Sequence, residues 1–140
     1  MNQKQIELVQ ASWKKVLTVG DAAAQLFYTR LFTLDPSLRP MFKGEMGAQG
    51  RKLMGMIGTA VNGLSRIETL VPAIEALGRR HVGYGVKDHH YLTVAEALLW
   101  TLEQGLGEAF TPETKLAWVE VYGVLASTMQ GATRAEPKAA

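Results

Sequence analysis

The sequence predicts an all-α fold built from helices of unequal length. Apolar residues recur at spacings of three and four along most of the chain, which is the pattern of a helix with one buried face. We find no alternating strand pattern of useful length and no internal repeat. Long helices are expected near the middle and the end, with short ones between them, whereas a regular four-helix bundle has matched helices. We therefore expect helices that cross at steep angles around an enclosed group.

Two helices and a short helical turn are predicted in the first 40 residues. The first helix covers residues 4–18, and its apolar face consists of Ile6, Val9, Trp13, Val16 and Leu17. Gly20 breaks the chain, and Asp21 is expected to cap a second helix that ends at Leu34. The broad face of that helix consists of Ala24, Phe27, Tyr28, Leu31 and Phe32. Asp35 followed by Pro36 predicts a short helix that Pro40 limits.

Four further helices are predicted in the rest of the chain. A glycine-rich connection leads into a long helix at residues 48–65, and a shorter helix runs from Thr69 to His81. The next helix covers Tyr91 to Leu106, with Thr93 and Glu96 spaced as a capping box. Thr111-Pro112-Glu113 starts the last helix, which extends to Met129. We expect one domain at residues 1–130 and a frayed tail at residues 131–140.

Composition excludes several classes of protein. A chain of 140 residues with 47% apolar and 20% charged residues is an ordinary globular domain, and no apolar run is long enough to span a membrane. Residues 1–5 lack the apolar segment of a signal peptide, so we expect a cytoplasmic protein. The absence of cysteine excludes disulfides, thiolate zinc sites, a cysteine nucleophile and thioether-linked haem. The net charge of +2 includes no long basic run, which argues against nucleic-acid binding. Phosphate-binding and serine-hydrolase motifs are also absent.

Among the three histidines, His81 is the candidate for chemistry. It follows Ile74, Leu77 and Gly78 on the apolar face of its predicted helix, so its side chain is expected to point into the core. A core histidine bonded to a carbonyl is one interpretation, and a metal ligand is the other. A lone imidazole cannot build a zinc site, but it suffices for haem because the porphyrin supplies four ligands. His89 and His90 are adjacent at a helix start, so at most one of them can face inward.

Two polar residues could face an apolar pocket. Tyr28 lies on the aromatic face of the second helix, and Gln49 lies in the first turn of a later one, on the side of Leu53. Each also has an ordinary interpretation, Tyr28 as a packed tyrosine and Gln49 as a solvated residue. Together they could donate hydrogen bonds to a partly negative ligand on a metal.

Five segments in this order and spacing resemble a known family. They are Leu26 to Phe32, Gln49 to Met54, Leu77 to Val86, His90-Tyr91 and Ala117 to Gly123. The chain resembles the globins over residues 5–129, specifically the single-domain bacterial globins related to the haem domain of flavohaemoglobins, and most closely the Hell's Gate type. The resemblance implies a globin fold, with helices packed around a non-covalent haem b, which is iron protoporphyrin IX.

The resemblance also implies roles for individual residues. His81 corresponds to the proximal iron ligand, and Tyr28 and Gln49 correspond to the distal tyrosine and glutamine. The positions that pack on haem are Phe42, Leu53, Leu77, Val86, Tyr91, Val94, Leu98 and Tyr122, with Leu53 over the distal face.

Two departures from flavohaemoglobins bear on chemistry. Those proteins pair the proximal histidine with a tyrosine, here Tyr91, and with a glutamate that aligns with Thr133. A carboxylate there would make the imidazole more basic, so its absence argues against peroxidase-like chemistry. A flavin and nicotinamide reductase domain does not fit in the remaining chain, so we expect an external reductase.

The resemblance implies reversible binding of O2 at ferrous haem, as in oxygen transport, with CO, NO and sulfide as further candidate ligands. The two distal donors are expected to slow O2 release and to favour O2 over CO. The alternative is an NO dioxygenase at the same haem that uses the external reductase. A haem sensor with a separate signalling partner and a cofactor-free helical interaction module also remain open. We expect a monomer or weak homodimer without nucleic-acid or membrane partners.

Overall fold

Six α-helices and three short 3-10 helices form the described part of the chain. The computed structural model describes residues 2–42, 44–83 and 86–134, with side chains described as far as Ala132. The α-helices are α1 Gln3–Leu17, α2 Gly20–Leu34, α3 Met46–Asn62, α4 Ile67–Gly83, α5 Asp88–Leu106 and α6 Pro112–Arg134. The 3-10 helices are Pro36–Met41, Leu64–Arg66 and Gly107–Ala109. Helices make up 91% of the described structure and no strand occurs in it, so the all-α prediction is confirmed.

The start of α2 differs from the sequence-based expectation. Its N-cap is Val19, and Asp21 lies in the first turn rather than at the cap. The Ala23 N–H donates to the Val19 carbonyl over 2.8 Å, so helical bonding begins before Asp21. The Asp21 carboxylate still lies where the helix dipole favours negative charge. The next cap is as predicted, because the Asp35 side chain accepts from the Ser37 N–H at 3.1 Å.

The start of α5 is a second difference. The helix begins at Asp88, three residues before the expected Tyr91, and Thr93 and Glu96 lie inside it. The Lys87 N–H donates to His90 Nδ1 at 2.8 Å, while the His90 N–H donates to the Lys87 carbonyl at 3.0 Å. Histidine thus takes the position that glutamate or glutamine takes in a capping box, a pattern that the sequence rules do not include.

Helices α3, α4 and α6 also have different bounds from those predicted. Helix α3 covers Met46–Asn62 rather than residues 48–65, and its expected last turn belongs to the 3-10 helix Leu64–Arg66. Helix α4 is longer than Thr69 to His81 and contains Pro72, which removes one backbone donor near its start. Helix α6 continues past Met129, and Ala132 within its last turn is buried. The predicted frayed tail therefore begins with four helical residues, 131–134, and residues 135–140 lie outside the described part of the chain.

The core consists of two clusters. The first, which we call the tryptophan core, joins α1, α3, α5 and α6 around Trp13 and Trp118, whose ring centroids are 6.0 Å apart. The Trp118 indole N–H donates to the Ser12 hydroxyl at 2.8 Å within this cluster. The second, the tyrosine core, consists of Phe27, Tyr28, Leu31, Leu38 and Ala97. No helix in the described residues is long and apolar enough to cross a membrane.

Helices α4 and α6 come into backbone contact at Gly78. A Cβ atom at this position would lie 2.7 Å from Met129 Cα and 2.8 Å from Met129 C. These distances are far shorter than ordinary contact, so only glycine permits the observed packing of α4 on α6. His81 follows Gly78 by three residues, and this contact therefore sets the position of the helix end that carries it.

Candidate functional site

Tyr28 lies at the centre of the tyrosine core and is 8% exposed. Its ring packs edge-on against Phe27 and Phe42, with centroids 5.2 and 5.3 Å away, and stacks with Phe32 at 5.9 Å. Phe42 lies at the end of the 3-10 helix that follows α2, and this turn of the chain places its ring in the same cluster. Tyr28 therefore has an aromatic environment on several sides, with only its hydroxyl group left for polar contacts.

The structure brings Tyr28 and Gln49 together through the main chain of Gln49. The Tyr28 hydroxyl donates to the Gln49 carbonyl oxygen over 3.3 Å, and Gln49 lies in the first turn of α3 as predicted. Burial raises the pKa of Tyr28 to about 12, so its hydroxyl keeps its proton at neutral pH. Because O–H···O bonds usually measure about 2.7–2.8 Å, this long bond is a weak one.

Three predicted apolar positions also pack against the tyrosine core. They are Leu53 from α3 and Val94 and Leu98 from α5. Leu98 packs against the tryptophan core as well, so it joins the two clusters. Predicted site residues thus converge from α2, the 3-10 corner, α3 and α5 on one largely apolar region.

His81 lies in the last turn of α4 and is half-buried. Its Nδ1 atom is 2.8 Å from the Leu77 carbonyl oxygen. A carbonyl can only accept, so Nδ1 carries the proton and Nε2 carries the lone pair in the neutral ring. Burial lowers the pKa of His81, while the Leu77 carbonyl bond raises it and the Arg80 charge lowers it further. A neutral ring with its proton on Nδ1 and its lone pair on Nε2 is a form in which histidine coordinates metals.

One tyrosine lies beside His81, and a second is hydrogen-bonded to the first. The Tyr91 ring stacks on the imidazole with centroids 6.5 Å apart and planes at 29°. The Tyr122 hydroxyl donates to the Tyr91 carbonyl oxygen at 2.6 Å, which ties α6 to the first turn of α5. Burial raises the pKa of both phenols, so both remain protonated at neutral pH.

The remaining predicted residues on this side flank His81 in the chain. Leu77 is half-buried and supplies the carbonyl oxygen for Nδ1. Val86 is also half-buried, and its N–H donates to the His81 carbonyl at 3.0 Å. Residues 84 and 85 between them, and the side chain of Thr133, lie outside the described residues.

A cavity of about 660 Å³ lies between α5 and α6. Its wall is mainly apolar and includes Tyr91, Leu98 and Tyr122 from the predicted site. Tyr28 and His81 are not among its lining residues, so the cavity borders the predicted site rather than containing it. Sequence reasoning did not anticipate this cavity, because periodicity identifies a buried face but not the gap between two helices.

The adjacent histidines His89 and His90 agree with the expectation that at most one of them faces inward. His90 is 6% exposed and His89 is exposed, so one of the two faces inward. Sequence reasoning missed the capping role of His90, for which the only available signal was its position three residues after Lys87.

The surroundings of His81 suit a single protein ligand rather than a cluster of ligands. In the described residues, the one group of three His, Cys, Asp or Glu side chains close enough to share a metal ion consists of Asp35, His89 and His90. His81 lies outside that group, so it suits a metal whose other ligands come from a prosthetic group. Its ordered Nδ1 proton is also the arrangement that fixes a metal-binding imidazole.

Comparisons with known proteins point to one family. The sequence profile of the globin family matches residues 25–129. The chain is 33% identical over 131 residues to a flavohemoprotein of Bordetella parapertussis, which covers 91% of this chain. The chain spans one third of the length of that relative, 33%.

Solved structures give the same result. A bacterial globin from Campylobacter jejuni superposes with a TM-score of 0.83 at 25% identity, covering 95% of this chain and 96% of its own. An engineered carbene transferase from Rhodothermus marinus, assigned as a nitric oxide dioxygenase, superposes with a TM-score of 0.83 at 25% identity, covering 94% and 92% of the two chains.

Proposed function

Because this chain belongs to the globin family, we propose that it holds haem b through His81 and binds O2 reversibly. The observation that carries the proposal is the 2.8 Å contact between His81 Nδ1 and the Leu77 carbonyl oxygen. It fixes the tautomer and leaves the Nε2 lone pair as the side-chain donor. With no cysteine in the chain, the haem would be held without a thioether link.

Leu77, Val86 and Tyr91 support the imidazole in this proposal. Leu77 sets the ring orientation, and Tyr91 restricts it from one face. Haem, when bound, would supply an iron atom that coordinates O2 and shifts electron density toward it. The apolar side chains of Phe42, Leu53, Val94 and Leu98 would pack on the porphyrin, while Tyr122 holds Tyr91 in place.

Tyr28 would act on the ligand through its hydroxyl proton. Its pKa of about 12 keeps it a donor throughout the neutral range. To donate to a ligand, the hydroxyl must turn away from the Gln49 carbonyl, and the length of that bond, 3.3 Å, makes the loss small. We propose the Gln49 side-chain amide as the second donor. Both donors act on a partly negative ligand such as O2 more strongly than on CO.

NO dioxygenation is the second candidate function. It is favoured by the likeness to the R. marinus protein and to the flavohemoprotein. The reaction joins NO, O2 and one electron to give nitrate, so each turnover consumes one electron. We propose that a separate reductase supplies this electron. O2 carriage differs from dioxygenation because it needs no repeated reduction.

The deciding experiment is an absorption spectrum of the purified protein, reduced with dithionite, before and after addition of CO. We expect a haem spectrum that shifts sharply with CO. His81→Gly should lose this spectrum and regain it when imidazole is added, whereas His89→Gly, a change at an exposed histidine, should leave it unaltered. Circular dichroism at the same protein concentration checks that both variants fold.

A wild-type protein that stays colourless when haemin is added would overturn the proposal and favour the cofactor-free interaction module. A His81→Gly variant that retains the wild-type spectrum without imidazole would overturn the ligand assignment. If the spectrum is as expected, nitrate formation from NO and O2 with a supplied reductase separates the two functions.

A further inference from the structure

A polar cluster lies where the start of α5 meets the corner between α2 and the following 3-10 helix. His90 is buried there, and its Nε2 atom is 3.9 Å from Asp35 Oδ2. Asp35 ends α2, and its Oδ1 atom accepts from both the N–H and the hydroxyl of Ser37. The cluster therefore connects the end of one helix to the beginning of another that is distant in the chain.

The hydrogen bonds of His90 define its tautomer. Its Nδ1 atom accepts the Lys87 N–H at 2.8 Å, so Nδ1 carries no proton. The proton of the neutral ring is then on Nε2, on the side of the Asp35 carboxylate. Only the neutral imidazole can accept at Nδ1 and present a proton to Asp35 at the same time.

The same bonds argue against a metal ion in this cluster. Ligand atoms of Asp35, His89 and His90 all lie within 4.8 Å of one another, a spacing that would suit a divalent cation. A metal on Nε2 would require the proton of His90 to move to Nδ1, where it would oppose the Lys87 N–H. The capping bond and metal coordination by His90 are therefore incompatible.

Protonation of His90 breaks the capping bond for the same reason. A proton on Nδ1 turns the acceptor into a donor that faces another donor. Among the described groups that face His90, Asp35 favours the charged ring, while His89 and Lys87 oppose it. Burial is the largest effect, and the pKa of His90 is lowered from its usual 6.5.

Because the pKa of His90 is lowered in the folded chain, acid destabilises the folded state. The unfolded chain takes up a proton on His90 at a higher pH than the folded chain does. The bond at His90 therefore contributes its full stability above about pH 6.5, and this contribution declines as the pH falls toward the folded-state pKa. Tyr91 is the next residue, so the turn that loosens is the one that brings Tyr91 to His81.

We propose that His90 is an acid-sensitive latch: the neutral ring closes the first turn of α5 by accepting the Lys87 N–H, and the protonated ring opens that turn while staying beside Asp35. The latch lies outside the proposed haem contacts, and it stands whether or not haem binds. It consists of Nδ1 and Nε2 of His90, the backbone N–H of Lys87 and the carboxylate of Asp35.

The first test is NMR of the wild-type protein with its imidazole nitrogens labelled, followed from about pH 8 to about pH 5. We expect a neutral His90 with its proton on Nε2 that titrates below 6.5. Asp35→Asn keeps a capping side chain but removes the charge, so His90 should titrate at still lower pH. A neutral ring with its proton on Nδ1, or titration at or above the usual value, would overturn the proposal.

The second test compares the pH dependence of unfolding in His90→Gln and His89→Gln. Glutamine at the third helical position can accept the same backbone N–H but does not titrate. Between about pH 8 and about pH 5, the free energy of unfolding should fall more steeply with decreasing pH in the wild type and in His89→Gln than in His90→Gln. The difference in slope corresponds to the uptake of up to one additional proton on unfolding. Equal slopes in wild type and His90→Gln would contradict the latch. Stoichiometric Zn²⁺ binding that requires His90 would also contradict it, because the ring would then serve as a ligand.

Discussion

Replacing Gly78 with alanine tests the packing that positions α4. The added Cβ would contact the Met129 carbonyl oxygen and lie 2.7 Å from Met129 Cα, against about 3.4 Å for ordinary contact, so α4 and α6 must separate by at least about 0.7 Å. The contacted atoms are backbone and cannot rotate away. Overpacking costs about 1–3 kcal/mol, and contact with rigid backbone places this case at about 2–3 kcal/mol, while alanine in a helix gains about 1 kcal/mol over glycine.

We expect a net loss of about 1–2 kcal/mol in the free energy of unfolding, which corresponds to a melting temperature about 5 °C lower. Gly55→Ala is the matched control, because Gly55 lies inside α3 with nothing within 4 Å of its added Cβ. The same chemical change there should raise the melting temperature by about 3 °C, through the helix preference alone. Far-UV circular dichroism during reversible heating measures both.

Opposite signs for the two variants would support the close approach of α4 and α6. The reasoning fails if Gly78→Ala is as stable as Gly55→Ala, since that would mean that the two helices are not in backbone contact. In the proposed haem protein, His81 is one turn from Gly78, so the same variant should also release haem faster than wild type.

Three further substitutions test other contacts. Tyr28→Phe removes a proposed donor to the ligand and should raise the O2 dissociation rate about tenfold, equivalent to about 1.4 kcal/mol, in stopped-flow measurements; an unchanged rate would refute that role. Tyr122→Phe removes the 2.6 Å bond to the Tyr91 carbonyl and should lower stability to urea by about 1 kcal/mol, with no loss if the bond is absent in solution. The Trp13 indole N–H has no partner among the described residues and lies 3.4 Å from a Cβ built at Gly58, so Gly58→Ser should be about 1 kcal/mol more stable than Gly58→Ala. Equal stability of those two variants would mean that the hydroxyl does not reach the indole.

Helix faces were predictable from the sequence because they depend on local periodicity. The spacing of Ile6, Val9, Trp13 and Val16 predicts the face of α1 that the structure buries, whereas Leu17, expected on the same face, is 48% exposed. The Asp35 cap was predictable for a similar reason, because aspartate before proline is a strong local signal. The inward turn of one histidine of the His89-His90 pair followed from helix geometry alone.

Helix starts were less predictable, because they depend on which backbone N–H groups find partners. Asp21 has the right chemistry for a cap, yet α2 begins one residue before it. At α5 the cap bond comes from a histidine ring, which is absent from the usual list of capping residues. The sequence therefore placed these two helices correctly but not their first turns.

At the candidate site, sequence reasoning identified residue types better than atoms. It paired Tyr28 with Gln49, and the structure joins them, but through the Gln49 carbonyl rather than its side-chain amide. The roles of His81 and of the haem-packing positions remain predictions that the spectra must test. The cavity between α5 and α6 was not predictable, because it depends on the distance between two helices rather than on either sequence pattern.

The hydrogen bond from Trp118 to Ser12 has a consequence for protein synthesis. The two residues are 106 positions apart, so α1 leaves the ribosome long before its partner in the tryptophan core exists. At a synthesis rate of about 5–20 residues per second, α6 is made roughly 5–20 s after α1. During that interval Trp13 and its neighbours are exposed to solvent, and a chaperone that binds apolar segments has its longest opportunity at α1.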